Sequence, residues 1–221
     1  MDIQANLLYS RPNFVAKPYG WIQHIPFAFF LIEKLKPRIF VELGTHSGNS
    51  YFSFCQAVEE LKLATKCYAV DTWEGDEHAS FYDKNVFKKV KSINDEHFSR
   101  VSSLLKMTFD DALAYFNNQT VDLLHIDGLH TYEAVKHDFD TWLPKLSEQG
   151  VVIFHDTNVR ERGFGVWKFW EELREKYISF DFVHGNGLGV LCVGGTVDED
   201  FVSFCKEANH NPYYRNFFST L

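Results

Sequence analysis

The segment that most restricts the fold is V-E-L-G-T-H-S-G-N-S, Val41–Ser50, which follows Arg38, Ile39 and Phe40 and precedes an amphipathic stretch. A buried strand that breaks into glycines and then starts a helix aims backbone N–H groups at whatever lies above the sheet edge. Open α/β sheets place nucleotide cofactors there. The spacing Gly44-x-x-x-Gly48 after Glu42 is not the G-x-G-x-x-G dinucleotide fingerprint, and no lysine follows as in a P-loop. A second acid, Asp71, closes the next apolar strand, Tyr68–Val70, where a carboxylate can hold a ribose diol.

The same strand-to-helix pattern recurs along the chain. Tyr51, Phe54, Cys55, Val58 and Leu61 fall at helical spacing, and Lys66–Trp73 reads as a strand ended by Asp71. A polar stretch from Glu74 to His97 interrupts the alternation. A third strand near Arg100–Leu105 leads to a helix over Phe109–Phe116, and the fourth, Val121–Ile126, ends at Asp127-Gly128. The next helix carries Tyr132, Val135, Phe139, Trp142, Leu143 and Leu146 on one face and stops at Gly150. The fifth strand, Val151–Phe154, ends at His155-Asp156, and Val166, Phe169, Trp170, Leu173 and Tyr177 mark another helix. Two last strands, Phe180–His184 and Gly189–Val193, flank a Gly185–Gly187 turn. This order predicts an α/β, Rossmann-like doubly wound fold: a mostly parallel seven-stranded sheet with a C-terminal antiparallel hairpin and ligands at the carboxyl ends of the strands. Upstream, Pro26–Lys36 reads as a helix stopped by Pro37, so the boundary to mark separates an N-terminal helical cap, residues 1–36, from a domain over residues 37–221.

Composition narrows the function classes. With 221 residues, 45% hydrophobic content and 22 Phe, the chain can bury one sizeable core. A net charge of −8 argues against a nucleic-acid footprint, which needs a basic excess or stripe. Cys55, Cys67, Cys192 and Cys205 form no C-x-x-C pair, so they read as reduced core residues of a cytoplasmic protein without structural zinc. The most apolar stretch, Ile25–Ile32, is far shorter than the ~20 residues of a membrane span.

Glu42, Asp71, Asp127 and Asp156 each sit at or within two residues of the carboxyl end of a different predicted strand, which places them at one crevice. A single carboxylate there is more often a helix N-cap. Four in register, one of them inside a glycine turn, favour a shared site.

Val41–Ser50, A-V-D-T-W-E-G-D-E-H at Ala69–His78, L-L-H-I-D-G-L-H-T-Y at Leu123–Tyr132 and V-V-I-F-H-D-T-N at Val151–Asn158 together resemble class I S-adenosylmethionine-dependent methyltransferases. More narrowly, they resemble bacterial methyltransferase domains found alone or fused to glycosyltransferases that build surface polysaccharides. The resemblance covers roughly residues 38–195. It implies that Gly44 and Gly48 shape the turn under the methionine part of the cofactor, that Glu42 supports this loop, that Ser50 touches the amino-acid end and that Asp71 takes the ribose hydroxyls. Trp73 flanks the adenine or is an ordinary core tryptophan. The implied acceptor is a sugar or glycan, nucleotide- or lipid-linked, and the implied partners are a glycosyltransferase or a second copy of the chain.

The catalytic reading centres on Asp127, His130 and Asp156. Methyl transfer from a sulfonium has an activated leaving group, so the enzyme must align the nucleophile and remove its proton. A sugar hydroxyl is a poor nucleophile, and either a positioned histidine takes its proton or a divalent ion lowers its pKa first. Asp127 and Asp156 are hard oxygen ligands suited to Mg2+ or Mn2+, with Asp127 and His130 as the catalytic pair and His130 left free as base. The pattern is similar to that of metal-dependent macrolide-sugar and catechol-type O-methyltransferases, with a departure. Those enzymes often carry a second acid or an amide beside the last ligating Asp, whereas His155 and Thr157 flank Asp156 here. His155 is a third ligand, a hydrogen-bond partner or a core histidine; His125 reads as a satisfied buried histidine, and His137 and Asp138 read as a solvated helix face.

Two flanking segments remain. Thr157–Gly165 offers Arg160 and Arg162 beside the candidate glycine hinges Gly163 and Gly165, either as a mobile lid that holds an acceptor phosphate or carboxylate or as a solvated loop paired with acids. Glu74–Phe98 reads as a partly helical insertion beside the cofactor, its aromatics suited to carbohydrate faces or to lid packing. The expected activity is therefore transfer of a methyl group from S-adenosylmethionine to a sugar hydroxyl in surface glycan assembly. The rivals are another hydroxylated small molecule as acceptor, such as an antibiotic glycoside or a phenol, and a cofactor-binding scaffold without catalysis.

Overall fold

Strands rich in β-branched and aromatic residues, apolar on both faces, need cover from both sides, and this chain supplies it with helices. A computed structural model describes residues 6–78 and 80–221. The strands are β1 (Ile39–Leu43), β2 (Lys66–Asp71), a separate two-stranded hairpin of β3 (Gly75–Asp76) and β4 (Ser80–Phe81), then β5 (Ser102–Lys106), β6 (Val121–Ile126), β7 (Leu146–His155), β8 (Ile178–Phe182) and β9 (Leu188–Cys192). Seven of them form one sheet in the order β5-β2-β1-β6-β7-β9-β8. The pairs from β5 to β7 are parallel, and β9 runs antiparallel to both β7 and β8. This is the doubly wound sheet with an antiparallel closing hairpin that the alternation predicts. The order reverses at β1 and β6, the position where such sheets open a crevice above their carboxyl ends.

The helices are α1 (Ile25–Leu35), α2 (Asn49–Glu60), α3 (Asn85–Ile93), α4 (Phe109–Ala112), α5 (Tyr132–Trp142), α6 (Val166–Arg174), α7 (Glu199–His210) and α8 (Pro212–Ser219). One face of the sheet shares a core with α1, α2, α7 and α8, in which the Phe27 ring meets Phe180, Phe182 and Phe218 at 4.8–5.6 Å. The other face is covered by α4, α5 and α6 through Val135, Phe139, Trp142, Phe169 and Trp170. No helix among the described residues is long and apolar enough to cross a membrane. All four cysteines are buried and free.

Helix α2 is buried from Asn49 to Val58, on its polar side as well as its apolar one. The preceding N-terminal segment covers that polar side. Asn49 accepts from the Ala16 N–H and donates to the Ala16 and Pro18 carbonyls at 2.7–2.8 Å, while Gln56 accepts from the Asn13 N–H and donates to the Arg11 carbonyl. The segment therefore lies against the body, tied down by side chains of α2 that bond its backbone amides and carbonyls.

Several boundaries differ from those the periodicity predicts. The helix expected to run through Leu146 ends at Trp142, because Pro144 turns the chain into a 3-10 turn and β7 already begins at Leu146. The extra length of β7 is absorbed where the register jumps from Val121 opposite Leu146 to Leu123 opposite Val151. The expected helix over Phe109–Phe116 is α4 followed by a 3-10 turn, Leu113–Tyr115. Glu42, read as part of the glycine turn, lies inside β1. The polar insertion holds the β3–β4 hairpin, α3 and a π-helical turn, Asn94–Phe98. Helices α7 and α8 follow the last predicted strand, in a region where the residue pattern predicts no element.

Candidate active site

The loop between β1 and α2 is tied down by glycine geometry and by one carboxylate. Gly44 has φ +88°, and a Cβ there would lie 2.1 Å from the Asp127 carbonyl oxygen, so both the left-handed backbone and the close approach require glycine. Gly48 has φ +86° at the start of α2, where a Cβ would meet the Phe52 ring. Asp71 accepts three backbone N–H groups, from Thr45 at 3.0 Å, His46 at 2.8 Å and Trp73 at 2.6 Å. Burial pushes its carboxyl up, against the pull of these donors. Asp71 and Gly44 line a cavity of about 220 Å³ with Asp76, Thr108 and Phe109, and Ser50 lines an adjoining cavity of about 270 Å³.

Two residues read as cofactor contacts sit elsewhere. Glu42 is fully buried and lines neither cavity; its Oε2 lies 2.8 Å from His125 Nδ1, and the Trp21 indole donates to His125 Nε2 at 3.2 Å. A carboxylate on an interior strand must find a partner in the core, and a histidine on the neighbouring strand provides it. Trp73 is also a core residue, its Nε1 donating to the His46 carbonyl and its ring 4.7 Å from Phe87. Tyr82 stands on the crevice wall instead, stacked on His46 at 4.1 Å with planes 13° apart, and it lines both cavities. Burial, with Asp71, Asp76 and Asp127 nearby, keeps its phenol protonated far above the usual range. The sequence signal for Tyr82 was its place in the aromatic start of the insertion.

Across the crevice, β6 and β7 bring two acids and two imidazoles together. His130 Nε2 lies 2.9 Å from Asp156 Oδ2 and 3.4 Å from Asp127 Oδ1. His155 Nδ1 lies 3.3 Å from Asp127 Oδ1 and 3.2 Å from Asp156 Oδ2, while its Nε2 donates to the Gly185 carbonyl at 3.0 Å. Both nitrogens of His155 therefore face acceptors, which favours the imidazolium. Burial opposes that charge, but Asp127 and Asp156 outweigh it and hold the His155 pKa well above the ordinary histidine value. His130 is likewise opposed by burial and raised to about 9 by hydrogen bonds to the two carboxylates. Asp127 and Asp156 are correspondingly held far below the usual carboxylate range by the imidazoles, despite burial. Asp156 has φ +60°, and its Oδ1 is buried with no partner among the described residues. Thr131 caps α5 by accepting from the Ala134 N–H, which fixes the turn that carries Asp127 and His130.

The walls come from distant segments. Pro18, Gly20 and Trp21 of the N-terminal segment, His78 of the insertion, and Arg162, Phe164 and Asn186 line the larger cavity. Arg162 lies over the Phe164 ring at 4.7 Å. Arg160 points away and lies over Trp167 at 4.5 Å, so the two arginines do not share the crevice. The loop carrying them is docked, with Gly165 N–H donating to the His130 carbonyl at 2.7 Å. His137 pairs with Asp110 on the surface, but Asp138 is buried, and burial lifts its carboxyl to about 7.

These residues fit both expected groups. Asp127, His130 and Asp156 offer two carboxylate oxygens and an imidazole nitrogen, all within 4.8 Å of one another, a donor set suited to Mg2+ or Mn2+. The unpartnered Asp156 Oδ1 adds an acceptor to this set. His130, expected to stand free of the ligands as base, has a ring nitrogen within the same 4.8 Å cluster. For the cofactor, the glycine loop leaves no Cβ at Gly44, beside Asp71 and at the junction of the two cavities.

Comparison with known proteins agrees with this architecture. The putative caffeoyl-CoA O-methyltransferase from Staphylococcus aureus superposes with a TM-score of 0.59 at 16% identity, over 81% of this chain and 84% of that one. The O-methyltransferase TomG from Streptomyces achromogenes, solved in complex with SAM, gives 0.56 at 16% identity over 82% of each chain. In sequence, the chain is 50% identical over 201 residues to the uncharacterized protein y4gI of Sinorhizobium fredii (strain NBRC 101917 / NGR234), across 91% of this chain but only 22% of that protein's length. Residues 41–157 match the family described as "Methyltransferase domain". With the class I methyltransferase sheet and more than half its length matched, the chain belongs to the methyltransferase-domain family.

Proposed function

We propose that the protein is an S-adenosylmethionine-dependent O-methyltransferase acting on a sugar hydroxyl in surface glycan assembly. One observation carries the reading: Gly44, Tyr82, Asp127 and His130 line both cavities, so the acid–imidazole cluster stands where a donor in one and an acceptor in the other would meet. The donor would lie on the side of Gly44 and Asp71, its amino-acid end directed across the shared wall toward Ser50 in the adjoining cavity. The acceptor enters past the N-terminal segment, His78 and Arg162. The names of the fold relatives, caffeoyl-CoA O-methyltransferase and O-methyltransferase TomG, support oxygen as the methylated atom.

The chain's own residues account for the steps. Tyr82 and the glycine loop fix the donor side, so that approach becomes a matter of orientation, which can supply several kcal/mol of a bimolecular barrier. In its neutral form, the minor one below a pKa of about 9, His130 Nε2 accepts the acceptor proton, and Asp127 and Asp156 stabilise the imidazolium that results. His155, held by Gly185, orients both carboxylates. Asp127 and Asp156, with His130 within reach, would hold a divalent cation, which would supply Lewis-acid chemistry that lowers a hydroxyl pKa. Arg162 takes an anionic group of an activated or lipid-linked sugar, since a guanidinium stacked on an aromatic face keeps its edge N–H groups available. A glycosyltransferase partner and self-association belong to the same proposal.

The test is isotope transfer from labelled S-adenosylmethionine to a panel of nucleotide sugars, lipid-linked sugars, oligosaccharides and phenols, followed by mapping of the methylated oxygen. Label on a sugar oxygen is the expected result. Label confined to phenols transfers the reading to another hydroxylated acceptor, and cofactor binding without transfer to any member supports a scaffold.

A further inference from the structure

We infer that Phe164 is a positioning residue for His130, its ring holding the imidazole in the plane that keeps Nε2 between Asp127 and Asp156. The kinetic consequence rests on the methyl-transfer reading; the geometry does not. The two rings are stacked with centroids 4.5 Å apart and planes 9° apart. The final torsion of a histidine side chain is broad, so rotamer preference alone does not hold the ring plane. A histidine whose one nitrogen acts is usually oriented by a hydrogen bond at the other. His130 lacks that device among the described residues, because its Nδ1 is buried without a partner. Face-on packing does the orienting instead.

Phe164 is itself held on several sides. Its N–H donates to the Glu161 carbonyl at 3.0 Å, and its own carbonyl accepts from Trp167 Nε1 at 3.1 Å. His78 stacks on the same ring at 4.6 Å, and the Arg162 guanidinium lies 4.7 Å from its centre. The next residue, Gly165, donates its N–H to the His130 carbonyl, and a Cβ there would lie 2.3 Å from Tyr132 N. The loop thus reaches the His130 turn twice, by backbone and by ring, and only glycine permits the first contact.

The test compares Phe164→Leu and Phe164→Tyr in the full chain, with thermal unfolding confirming that both fold. Histidine side-chain NMR, with His130 assigned through His130→Gln, reads the stack directly. The His130 ring protons should be displaced upfield in the unmodified chain and in Phe164→Tyr, and should lose that displacement in Phe164→Leu. With the acceptor found by isotope transfer, Phe164→Leu should lower kcat by about 10–10²-fold, the loss that a misplacement of about 1 Å can cause. Cofactor affinity should stay unchanged, and Phe164→Tyr should recover most of the rate. Unmoved His130 protons in Phe164→Leu, a kcat within twofold of the unmodified chain, or equal rate losses in both variants would overturn the inference. If the unmodified chain transfers no methyl group, the functional reading fails by itself; His130 ring-nitrogen shifts, which report its Nε2–carboxylate hydrogen bonds, then decide the inference, a change in Phe164→Leu supporting it and unchanged shifts overturning it.

Discussion

Asp71 and Asp156 occupy equivalent places, each ending a parallel stretch of strand at the crevice, yet the chain uses them in opposite ways. Asp71 is saturated with three backbone N–H donors and acts as a bracket for the glycine loop. Asp156 meets only imidazoles, keeps one oxygen without a partner among the described residues and sits in a left-handed backbone. A carboxylate surrounded by fixed amides builds structure. One left partly unsatisfied beside titratable rings is available for chemistry.

The largest expected effect breaks the chemical side alone. His130→Ala should reduce turnover by about 10²–10⁴-fold while cofactor affinity, read by calorimetry, stays near that of the unmodified chain. Near-normal turnover would remove His130 from the proton transfer. Next, Gly44→Ala joins the two sides, because its Cβ would meet the Asp127 carbonyl in a φ +88° backbone. Unfolding should show a loss of about 2–4 kcal/mol, and an unchanged melting temperature would mean that the loop can move away.

The bracket role of Asp71 is sharpened by Asp71→Ala, which should lower stability by about 2–3 kcal/mol through unsatisfied amides as well as weaken cofactor binding. Weaker binding with unchanged stability would assign Asp71 to the ribose alone. A third acid, Asp138, tests burial without a strong partner. In the folded chain its carboxyl stays protonated to about pH 7, whereas unfolding returns it to 3.8. Between those values the unfolded state binds fewer protons, so stability falls as pH rises. The stability of Asp138→Asn relative to the unmodified chain should therefore climb by about 2.5 kcal/mol between pH 5 and 8, at about 1.4 kcal/mol per pKa unit. A gap independent of pH would show that Asp138 ionises freely. The smallest effect separates the two arginines: Arg162→Ala should raise the Michaelis constant for an anionic acceptor several-fold, and Arg160→Ala should leave it unchanged.

The strand-to-helix alternation was legible because burial on both faces and the breaker residues between runs are local signals, and β6 matches its expected range, Val121–Ile126. The convergence of Asp127, His130 and Asp156 was legible for a topological reason, since strand ends meet at one edge. What each acid touches was not. Glu42 and Asp71 look alike in sequence, but the partner of Glu42 lies on another strand and the partners of Asp71 are backbone amides of a loop. Trp73 and Tyr82 differ in the same way, since both are aromatic and only the hairpin geometry decides which one reaches the wall. Asp138 sits on a helix whose polar face looked solvated, and its burial beneath Gly128 follows from packing against the turn that carries Asp127 and His130.

Gly20 packs towards Asn186 and His155, and a Cβ on it would fall 3.6 and 3.9 Å from their side chains. Gly20 and Asn186 both lie outside the family-matched stretch, 41–157, as do Arg162 and Phe164. The glycine loop, Asp71, Tyr82, Asp127, His130 and Asp156 all lie inside it. On the proposed assignment, the donor half is inherited and the acceptor half is made mostly by the flanks, with His78 the contribution of the matched stretch. Such a chain can change what it methylates by altering its two ends while the transfer machinery stays as it is.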